Sequence, residues 1–589
     1  MKRKTTGFAP FTSPACMTVA VAAAFAFGSF AQATTLTWDA NGATAAQTDG
    51  AGAWKNANPW WDGAANVTWT SGDDAIFGNG GTGGAVTLAS ATAAQSITVN
   101  TFTGTYSLGT TANILTIGSG GITMTAGASA VSLVSAITLG GPQSWTNGSG
   151  SSLTVTNAAA NAVVYGSNLL TLNGGSFNFA LTGSATTTGA GGVRITAGSA
   201  VTNSSTVNPF GSGPLELNSG SLKNSATATT RTVSNAASIT GNFTFDAAGA
   251  TGNNTFSAAA TTTGARVLTI NTSTTSFSST LGLGGNLTVQ GTGTLSLGGV
   301  VSDGGNAYSV TKSDAGVLTL VTANTFTGGV TLNAGTLNIG NATAIGTGTL
   351  TINGGAINTN GASITLSTNN AISLASDFAN TGSNSLNLGT GAVTLVGGTR
   401  TITTNGATTL FTIGGSIGDG GNNYGLTKAG TGTLVLSGAN TYGGTTTVAA
   451  GTLQATNTGA LPDFSTPGRV VVAGGATLTV NAGITGALFT SANLDSLRAA
   501  VTFGANSKLG IDTSSASFSY ASTIADTAGG ALGLLKQGTN TLTLSATNNT
   551  YSGGTFLNAG TLNFAALNTL GTGGITFNGG TLQYTTGNT

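Results

Sequence analysis

Apolar and polar residues alternate in short stretches of the chain, and glycine-rich turns separate these stretches. In Thr433–Leu436, Leu434 and Leu436 alternate with Thr433 and Val435. Alternation points successive side chains to opposite faces of a strand, so that one face can be buried. Turns come roughly every six to twelve residues and no helical period intervenes, which predicts an all-β fold.

One stretch of about 30 residues occurs three times, at Val310–Asn338, Leu426–Gln454 and Leu534–Asn563. Each copy holds a lysine, an alternating strand, an aromatic residue ahead of Gly-Gly, a second strand, and then Ala-Gly-Thr-Leu. Strands this short cannot bury a face alone, so stacked copies must build the core, which is the signature of a solenoid. The pattern predicts a parallel β-helix of about 25 rungs, about 120 Å long.

Glycines mark the turns of this repeat. We predict positive φ at 443–444 and at Gly451, because glycine adopts that conformation without steric cost. The repeat turn positions are Gly328, Gly329, Gly443, Gly444, Gly553 and Gly554.

The chain divides by pattern into four parts: 1–33, 34–80, 81–266 and 267–589. The first begins with Lys2, Arg3 and Lys4, continues with an apolar run and ends in Ala-Gln-Ala, as a secretory signal peptide does. The second is rich in tryptophan, the third is an irregular β-solenoid, and the fourth contains the three repeats. Within the fourth part, Ser491–Arg498 is a possible helical turn on a loop that leaves the rod.

Five of the six tryptophans fall between residues 34 and 80. A cap that closes the N-terminal end of the solenoid core explains them, because solenoids require such a cap. The alternative is an aromatic platform on which sugar rings stack, with Trp60 and Trp61 as the candidate residues.

Composition excludes several kinds of site. The chain has no histidine, and its single cysteine, Cys16, lies in the predicted signal peptide, so disulfides and thiolate or histidine metal sites are not expected after export. Charged residues make up 5% of the chain, and Glu216 is the only glutamate. We therefore expect no catalytic residues, no cofactor, no metal site and no nucleic-acid partner.

An aspartate precedes the lysine of each repeat, at Asp303, Asp419 and Asp526. A calcium solenoid needs tandem aspartates, whereas these stand more than a hundred residues apart, so we predict that Asp303 and Asp419 stabilise Asx turns. The lysines, Lys312, Lys428 and Lys536, are predicted to be solvated charges at strand edges.

The segments 324–338, 431–454 and 549–563 resemble the autotransporter-associated β-strand repeat, found in the passenger regions of bacterial autotransporters. The resemblance implies a right-handed β-helix exported by type V secretion, with a repeat that assists secretion and folding. It also implies an outer-membrane translocator barrel as partner. No barrel sequence precedes Thr589, so that barrel is expected in a longer natural chain.

Two functions are consistent with the sequence. The first is a non-enzymatic passenger, secreted or displayed on the surface of a Gram-negative-type bacterium, that acts as a stalk, an adhesin or a matrix component. Its partners would be surface glycans or host or matrix components. The alternative is a β-helix that binds or degrades polysaccharide.

Overall fold

The computed structural model describes residues 33–43, 47–182, 185–225, 229–247, 252–271, 273–406, 409–484 and 486–585. The predicted signal peptide lies outside these residues except for Ala33. The described chain is a β-solenoid of parallel sheets with about 22 turns, which confirms the predicted fold class.

The N-terminal part contains the strands that differ most from the rest. β1 to β9 are Thr35–Trp38, Gly52–Ala53, Trp60–Trp61, Asn66–Val67, Asp74–Phe77, Ala85–Thr87, Thr92–Val99, Thr105–Leu108 and Ile114–Met124. β1 pairs with β3, and β3 with β4, in antiparallel ladders, whereas the strands from β5 onward form parallel ladders.

Short parallel strands continue up to the first repeat. β10 to β32 are Ala130–Leu133, Ala136–Leu139, Gln143–Asn147, Ser152–Val155, Val163–Gly166, Leu170–Asn173, Ser176–Phe179, Thr187–Gly189, Val193–Ile195, Ala200–Asn203, Leu215–Leu217, Ser221–Asn224, Thr230–Val233, Ala237–Ile239, Phe243–Ala247, Asn253–Phe256, Ala260–Thr262, Arg266–Ile270, Thr274–Phe277, Leu281–Gly282, Leu287–Gln290, Thr294–Leu297 and Val301–Ser302. Ile137 pairs with Val163, so a turn of the solenoid takes 26 residues here.

The first two repeats lie in the next group. β33 to β50 are Val310–Lys312, Val317–Leu320, Val330–Leu332, Thr336–Ile339, Leu350–Ile352, Ala356–Thr359, Ile364–Thr365, Ile372–Leu374, Phe378–Asn380, Leu386–Asn387, Val393–Leu395, Arg400–Thr404, Leu410–Ile413, Ile417–Gly418, Leu426–Ala429, Thr433–Leu436, Thr446–Val448 and Thr452–Ala455. Val310 pairs with Val330, so a turn takes only 20 residues.

The last part holds the helix and the third repeat. The helix α1 is Ser491–Ala500, and the short 3-10 segments are Thr458–Ala460 and Leu567–Thr569. β51 to β61 are Val470–Val472, Thr477–Asn481, Thr502–Phe503, Ser507–Asp512, Phe518–Tyr520, Leu532–Gln537, Thr541–Leu544, Thr555–Leu557, Thr561–Phe564, Ile575–Phe577 and Thr581–Tyr584. Val471 pairs with Thr502, so this turn of the solenoid takes 31 residues and includes the helix. Such long turns explain why the solenoid has fewer turns than the 25 expected.

The core runs along the axis as columns of aliphatic side chains. In β36 the inward residues Leu337 and Ile339 are buried, and the alternating residues Thr336 and Asn338 are half-buried. Leu337 lies in register between Leu318 and Ile357 on the neighbouring rungs. Each rung therefore buries its apolar face against two others, as the alternation predicts.

The helical turn predicted at Ser491–Arg498 is longer than expected and is anchored to the rod. Thr490 and Asn493 form a capping box at its start, and Leu494 and Leu497 are buried. No helix among the described residues is long and apolar enough to cross a membrane.

Candidate functional site

The three repeats place the same three polar residue types along the rod: an aspartate, a lysine and an asparagine, which we call the repeat polar set. Its members are Asp303, Lys312 and Asn324; Asp419, Lys428 and Asn440; and Asp526, Lys536 and Asn549. All are at most 7% exposed except Asp526, which is exposed. Burying polar groups is costly unless they are hydrogen-bonded, so their partners decide what they do.

The aspartates close a turn and also hold the following rung. Oδ1 of Asp419 accepts a hydrogen bond from the Gly421 amide at 2.9 Å, and Oδ2 accepts one from Tyr424 at 2.9 Å. Oδ2 also accepts from the Gly443 amide, 24 residues on, at 3.0 Å. This last hydrogen bond is the leading cause of the lowered pKa of Asp419. The corresponding donors to Asp303 are Gly305, Tyr308 and Thr327.

These contacts confirm the predicted Asx turns at Asp303 and Asp419 and add an inter-rung bond that the sequence did not reveal. At Asp526 the two oxygens accept from the amides of Leu532 and Ser552 and from the Ser552 hydroxyl. Among the described residues, no three or more His, Cys, Asp or Glu side chains are grouped so that they could hold a metal ion.

The lysines are buried, so the prediction that they are solvated edge charges is wrong. Nζ of Lys428 donates to the carbonyls of Ala429 and Gly430 at 2.8 Å each, and to Ala450 in the next rung at 3.1 Å. An ammonium has three N–H donors, and the three carbonyl oxygens satisfy all of them. Burial lowers the pKa of Lys428 from 10.5 to about 8.

The other two copies hold their lysines in similar positions. Nζ of Lys536 donates to Gln537 and Gly538 at 2.7 Å each and to Ala559 at 3.0 Å, and burial lowers its pKa to about 8. Lys312 donates to the carbonyl of Asp314, and burial lowers its pKa as well. A signal was present in the sequence, because alternation from Leu426 places Lys428 on the inward face of its strand.

The asparagines connect three consecutive rungs, a role that the sequence analysis missed. Oδ1 of Asn440 accepts from the Ile417 amide at 2.8 Å, and Nδ2 donates to the Ala460 carbonyl at 2.8 Å. Ile417 lies 23 residues before Asn440 and Ala460 lies 20 after it. Asn324 and Asn549 bond to corresponding groups: Val301 and Ala344 for the first, Ile524 and Thr569 for the second.

The aromatic residue of each repeat is buried inside the turn. Tyr442 is buried, and its hydroxyl lies 2.6 Å from Oγ1 of the buried Thr446. Tyr551 and Thr555 form the same pair at 2.7 Å. In the first copy both hydroxyls are missing together, since the residues are Phe326 and Val330. The first copy therefore lacks both members of the hydroxyl pair, so neither hydroxyl is left buried without the other.

Each copy has a glycine two residues after its aromatic residue, at Gly328, Gly444 and Gly553. A Cβ on Gly444 would come within 2.3 Å of backbone atoms of Tyr424 and Gly425 in the previous rung. Positive φ occurs at Gly329, Gly554 and Gly451 but not at Gly443 or Gly444, which corrects the expectation for that pair. Gly444 is required there because two backbones approach closely, a condition that turn patterns alone do not reveal.

The N-terminal tryptophans form a buried cluster. Trp38, Trp54 and Trp60 have no exposed surface, and Trp60 lies 4.7 Å from Trp69 between ring centroids. The Trp60 indole also donates to the Trp54 carbonyl at 2.8 Å. At this burial a sugar cannot stack on Trp60, whereas Trp61 is half-buried and keeps an accessible side.

Three segments of the chain match a known repeat family. Residues 310–339, 426–455 and 534–564 match the sequence model of the passenger-associated-transport repeat. The chain carries autotransporter passenger repeats. This confirms the resemblance found in the sequence, and each passenger repeat contains the lysine and asparagine of one repeat polar set.

A curated relative supports the same assignment. The chain is 31% identical over 287 residues to the adhesin BmaC autotransporter of Brucella suis biovar 1 (strain 1330). The match includes 46% of this chain but spans only 7% of the relative's length. No solved structure matches the chain.

Proposed function

We propose that this chain is a non-enzymatic passenger region, exported to the surface of a Gram-negative bacterium, whose repeats support secretion and folding of a β-solenoid rod. The repeat polar set carries the proposal, because it ties each repeat to the rungs before and after it through buried hydrogen bonds. Similarity to an autotransporter adhesin supports a stalk, adhesin or matrix role, with surface glycans or host or matrix components as partners and a translocator barrel as the export partner.

The repeat polar set suits a chain that folds rung by rung. Asn440 accepts from one rung and donates to another, so its amide is satisfied only when three rungs are in place. Lys428 and Asp419 likewise each bond to one following rung. A rung that docks therefore satisfies buried groups of its predecessor, which makes its detachment costly.

We also propose that the tryptophan-rich residues 34–80 form the N-terminal cap of the solenoid. The cluster of Trp38, Trp54 and Trp60 fills the end of the core, and the antiparallel strands β3 and β4 lie where a parallel solenoid would otherwise leave an edge. Capping of this kind protects both the core and the strand edges.

Surface exposure of the passenger is the direct test of location. Intact cells that produce the natural protein would be treated with proteinase K, and the chain would be followed with an antibody against the repeats. We expect digestion on intact cells while a periplasmic marker protein stays whole. A chain that is digested only after the outer membrane is broken would overturn the proposed location.

Folding as an aid to secretion has its own test at the third repeat. Leu542, Leu544 and Leu562 are buried, and Leu542 is in register with Leu562. Replacing all three by Asn would remove the core of two rungs, and we expect slower appearance of the passenger at the surface. A control with three Asn substitutions at the outward Thr541, Thr543 and Thr561 should be displayed at the normal rate. Equal rates for the two variants would refute the folding role.

A further inference from the structure

The helical excursion creates a groove that the passenger repeats do not explain. Its volume is about 390 Å³, and its walls are the Pro467-Gly468 turn, the end of α1 with the residues up to Phe503, and the 525–529 turn. A groove of this size is in the range that small-molecule ligands occupy. Excursions from a solenoid frequently form its binding face.

A chain of hydrogen bonds positions one cationic side chain at this groove. Ser522 donates to Oδ2 of Asp495 at 2.9 Å, and the Tyr520 hydroxyl donates to Oδ1 of Asp495 at 2.6 Å. Nη1 of Arg498 in turn donates to the Tyr520 hydroxyl at 3.0 Å. The guanidinium is thereby held in place with donors to spare, since arginine has five N–H groups in a planar fork.

The groove carries opposite charges that are not paired with each other. Among the described residues the ion pairs are Arg194–Glu216 and Arg469–Asp463, so Arg498 and the groove residue Asp526 do not form one. Asp526 accepts hydrogen bonds from Leu532 and Ser552 on the solenoid side. Only 5% of the chain is charged, so an arginine and an aspartate at one groove are a marked local concentration.

We infer that this groove binds a neutral saccharide. A guanidinium donates to sugar hydroxyl oxygens, and a carboxylate accepts from hydroxyl hydrogens, so an uncharged ligand rich in hydroxyls satisfies both walls. A strongly anionic ligand would meet Asp526, and a cationic one would meet Arg498. Ala499 and Ala525 supply apolar surface for the C–H faces of a sugar ring.

The groove binds and does not cleave. Glycoside hydrolysis uses two carboxyl groups on either side of the scissile bond. Asp526 is the carboxylate among the residues that line the groove, so the second carboxyl group that hydrolysis needs is missing from this lining. Its Oδ2 accepts one hydrogen bond, from the Ser552 hydroxyl, and can still accept one from a sugar hydroxyl. The inference deepens the proposed surface function and rests on it only for the ligand's biological source, because binding can be measured on the isolated chain.

Saturation-transfer NMR with the full chain tests this site, using cellobiose, maltose, lactose and N,N′-diacetylchitobiose as neutral probes and glucuronic acid as an anionic one. We expect at least one neutral disaccharide to bind and Arg498→Ala to weaken that binding at least tenfold. The matched control is Arg469→Ala, which removes an arginine of the same region that does not line the groove, and it should change binding less than twofold.

A second variant guards against misfolding as the cause of lost binding. Ala528 is an exposed groove residue, and Ala528→Trp should fill the groove while the Arg498–Tyr520–Asp495 contacts stay intact. We expect the loss of binding with an unchanged melting temperature. The inference is overturned if no neutral probe binds, if glucuronic acid alone binds, or if Ala528→Trp binds as the unmodified chain does. Such a result would leave the surface proposal standing, since proteinase K exposure does not depend on the groove.

Discussion

At the scale of single residues, the buried lysines show how a charge can serve the interior of a solenoid. Lys428 and Lys536 each direct an ammonium at three carbonyl oxygens, two in their own turn and one in the next rung. These carbonyls lie where a strand ends in a glycine turn, and the Gln537 carbonyl also accepts from the Thr513 amide. The lysine therefore supplies hydrogen bonds to buried carbonyls at the turn, as buried polar groups require.

This burial predicts that stability depends on pH. The pKa of Lys428 and Lys536 falls to about 8 in the folded state from 10.5, so between these values the unfolded chain holds more protons. The free energy of unfolding should then rise with pH across this window, by at most about 1.4 kcal/mol per pH unit for each lysine, and stay constant for these groups below it.

Urea unfolding at a series of pH values measures this effect. Lys428→Met should remove part of the rise, whereas Lys55→Met, at an exposed lysine, should leave it intact. A pH profile that is identical in Lys428→Met and the unmodified chain would contradict the prediction.

A second residue-scale prediction concerns the Tyr442–Thr446 pair. Tyr442→Phe would leave the buried Thr446 hydroxyl without its partner, and we expect a loss of about 1–3 kcal/mol of unfolding free energy. Adding Thr446→Val should recover most of this loss, because the double variant has the Phe and Val of the first repeat. A double-mutant cycle by urea unfolding measures the coupling, and additive losses would refute it.

At the scale of the turn, position 444 requires glycine because two backbones approach closely there, and not because its φ is positive. Gly444 lies against Tyr424 and Gly425 of the previous rung, without a positive φ. Its neighbour Gly443 differs, since a Cβ there would meet the Asn423 side chain at 2.6 Å and backbone only at 3.3 Å. A side chain at position 444 would thus meet backbone of the previous rung, whereas one at position 443 would meet mainly the Asn423 side chain.

These positions give a matched pair of substitutions. Gly444→Ala should cost about 3 kcal/mol or more, because the added methyl meets backbone that cannot move without parting two rungs. Gly443→Ala should cost clearly less, because the Asn423 side chain can rotate away. Thermal unfolding of both variants compares them, and equal losses would show that the backbone contact is not the cause.

At the scale of the whole molecule, the solenoid makes each defect local. Each rung contacts only its neighbours, so stability is close to a sum of rung and interface terms. The asparagines of the repeat polar set extend hydrogen bonding over three rungs, and Asn440 does so from 417 to 460. The repeats are therefore expected to be local centres of stability along the rod.

Hydrogen exchange followed by mass spectrometry tests this view. Asn440→Ala leaves the Ile417 amide and the Ala460 carbonyl unpaired, so we expect faster exchange between about residues 410 and 460 and no change between 130 and 240. The control Asn353→Ala removes an exposed bond to Asn333 and should change little. Faster exchange along the entire rod would contradict the local response.

Much of the architecture was predictable, because alternation and repeat spacing are local properties of the chain. The inward leucines, the parallel stacking of the repeats and the Asx turns at Asp303 and Asp419 follow from the order of residues within one or two turns. The same alternation places Lys428 on the inward face of its strand. The prediction that it is solvated was wrong because it relied on the charge of the lysine and not on this alternation. The full length of α1 was not apparent, since its stability depends on burying Leu494 and Leu497 against the rod.

The sequence by itself thus determined the fold class and the passenger repeats, because both depend on which residue types recur at which spacing. Only the tertiary structure decided the partners of the buried polar groups, the reason for Gly444 and the groove at Arg498. Each of these includes contacts between atoms about twenty or more residues apart that stacking brings within a few ångströms. A contact between rungs joins residues of different turns, so the residue pattern within one turn does not predict it.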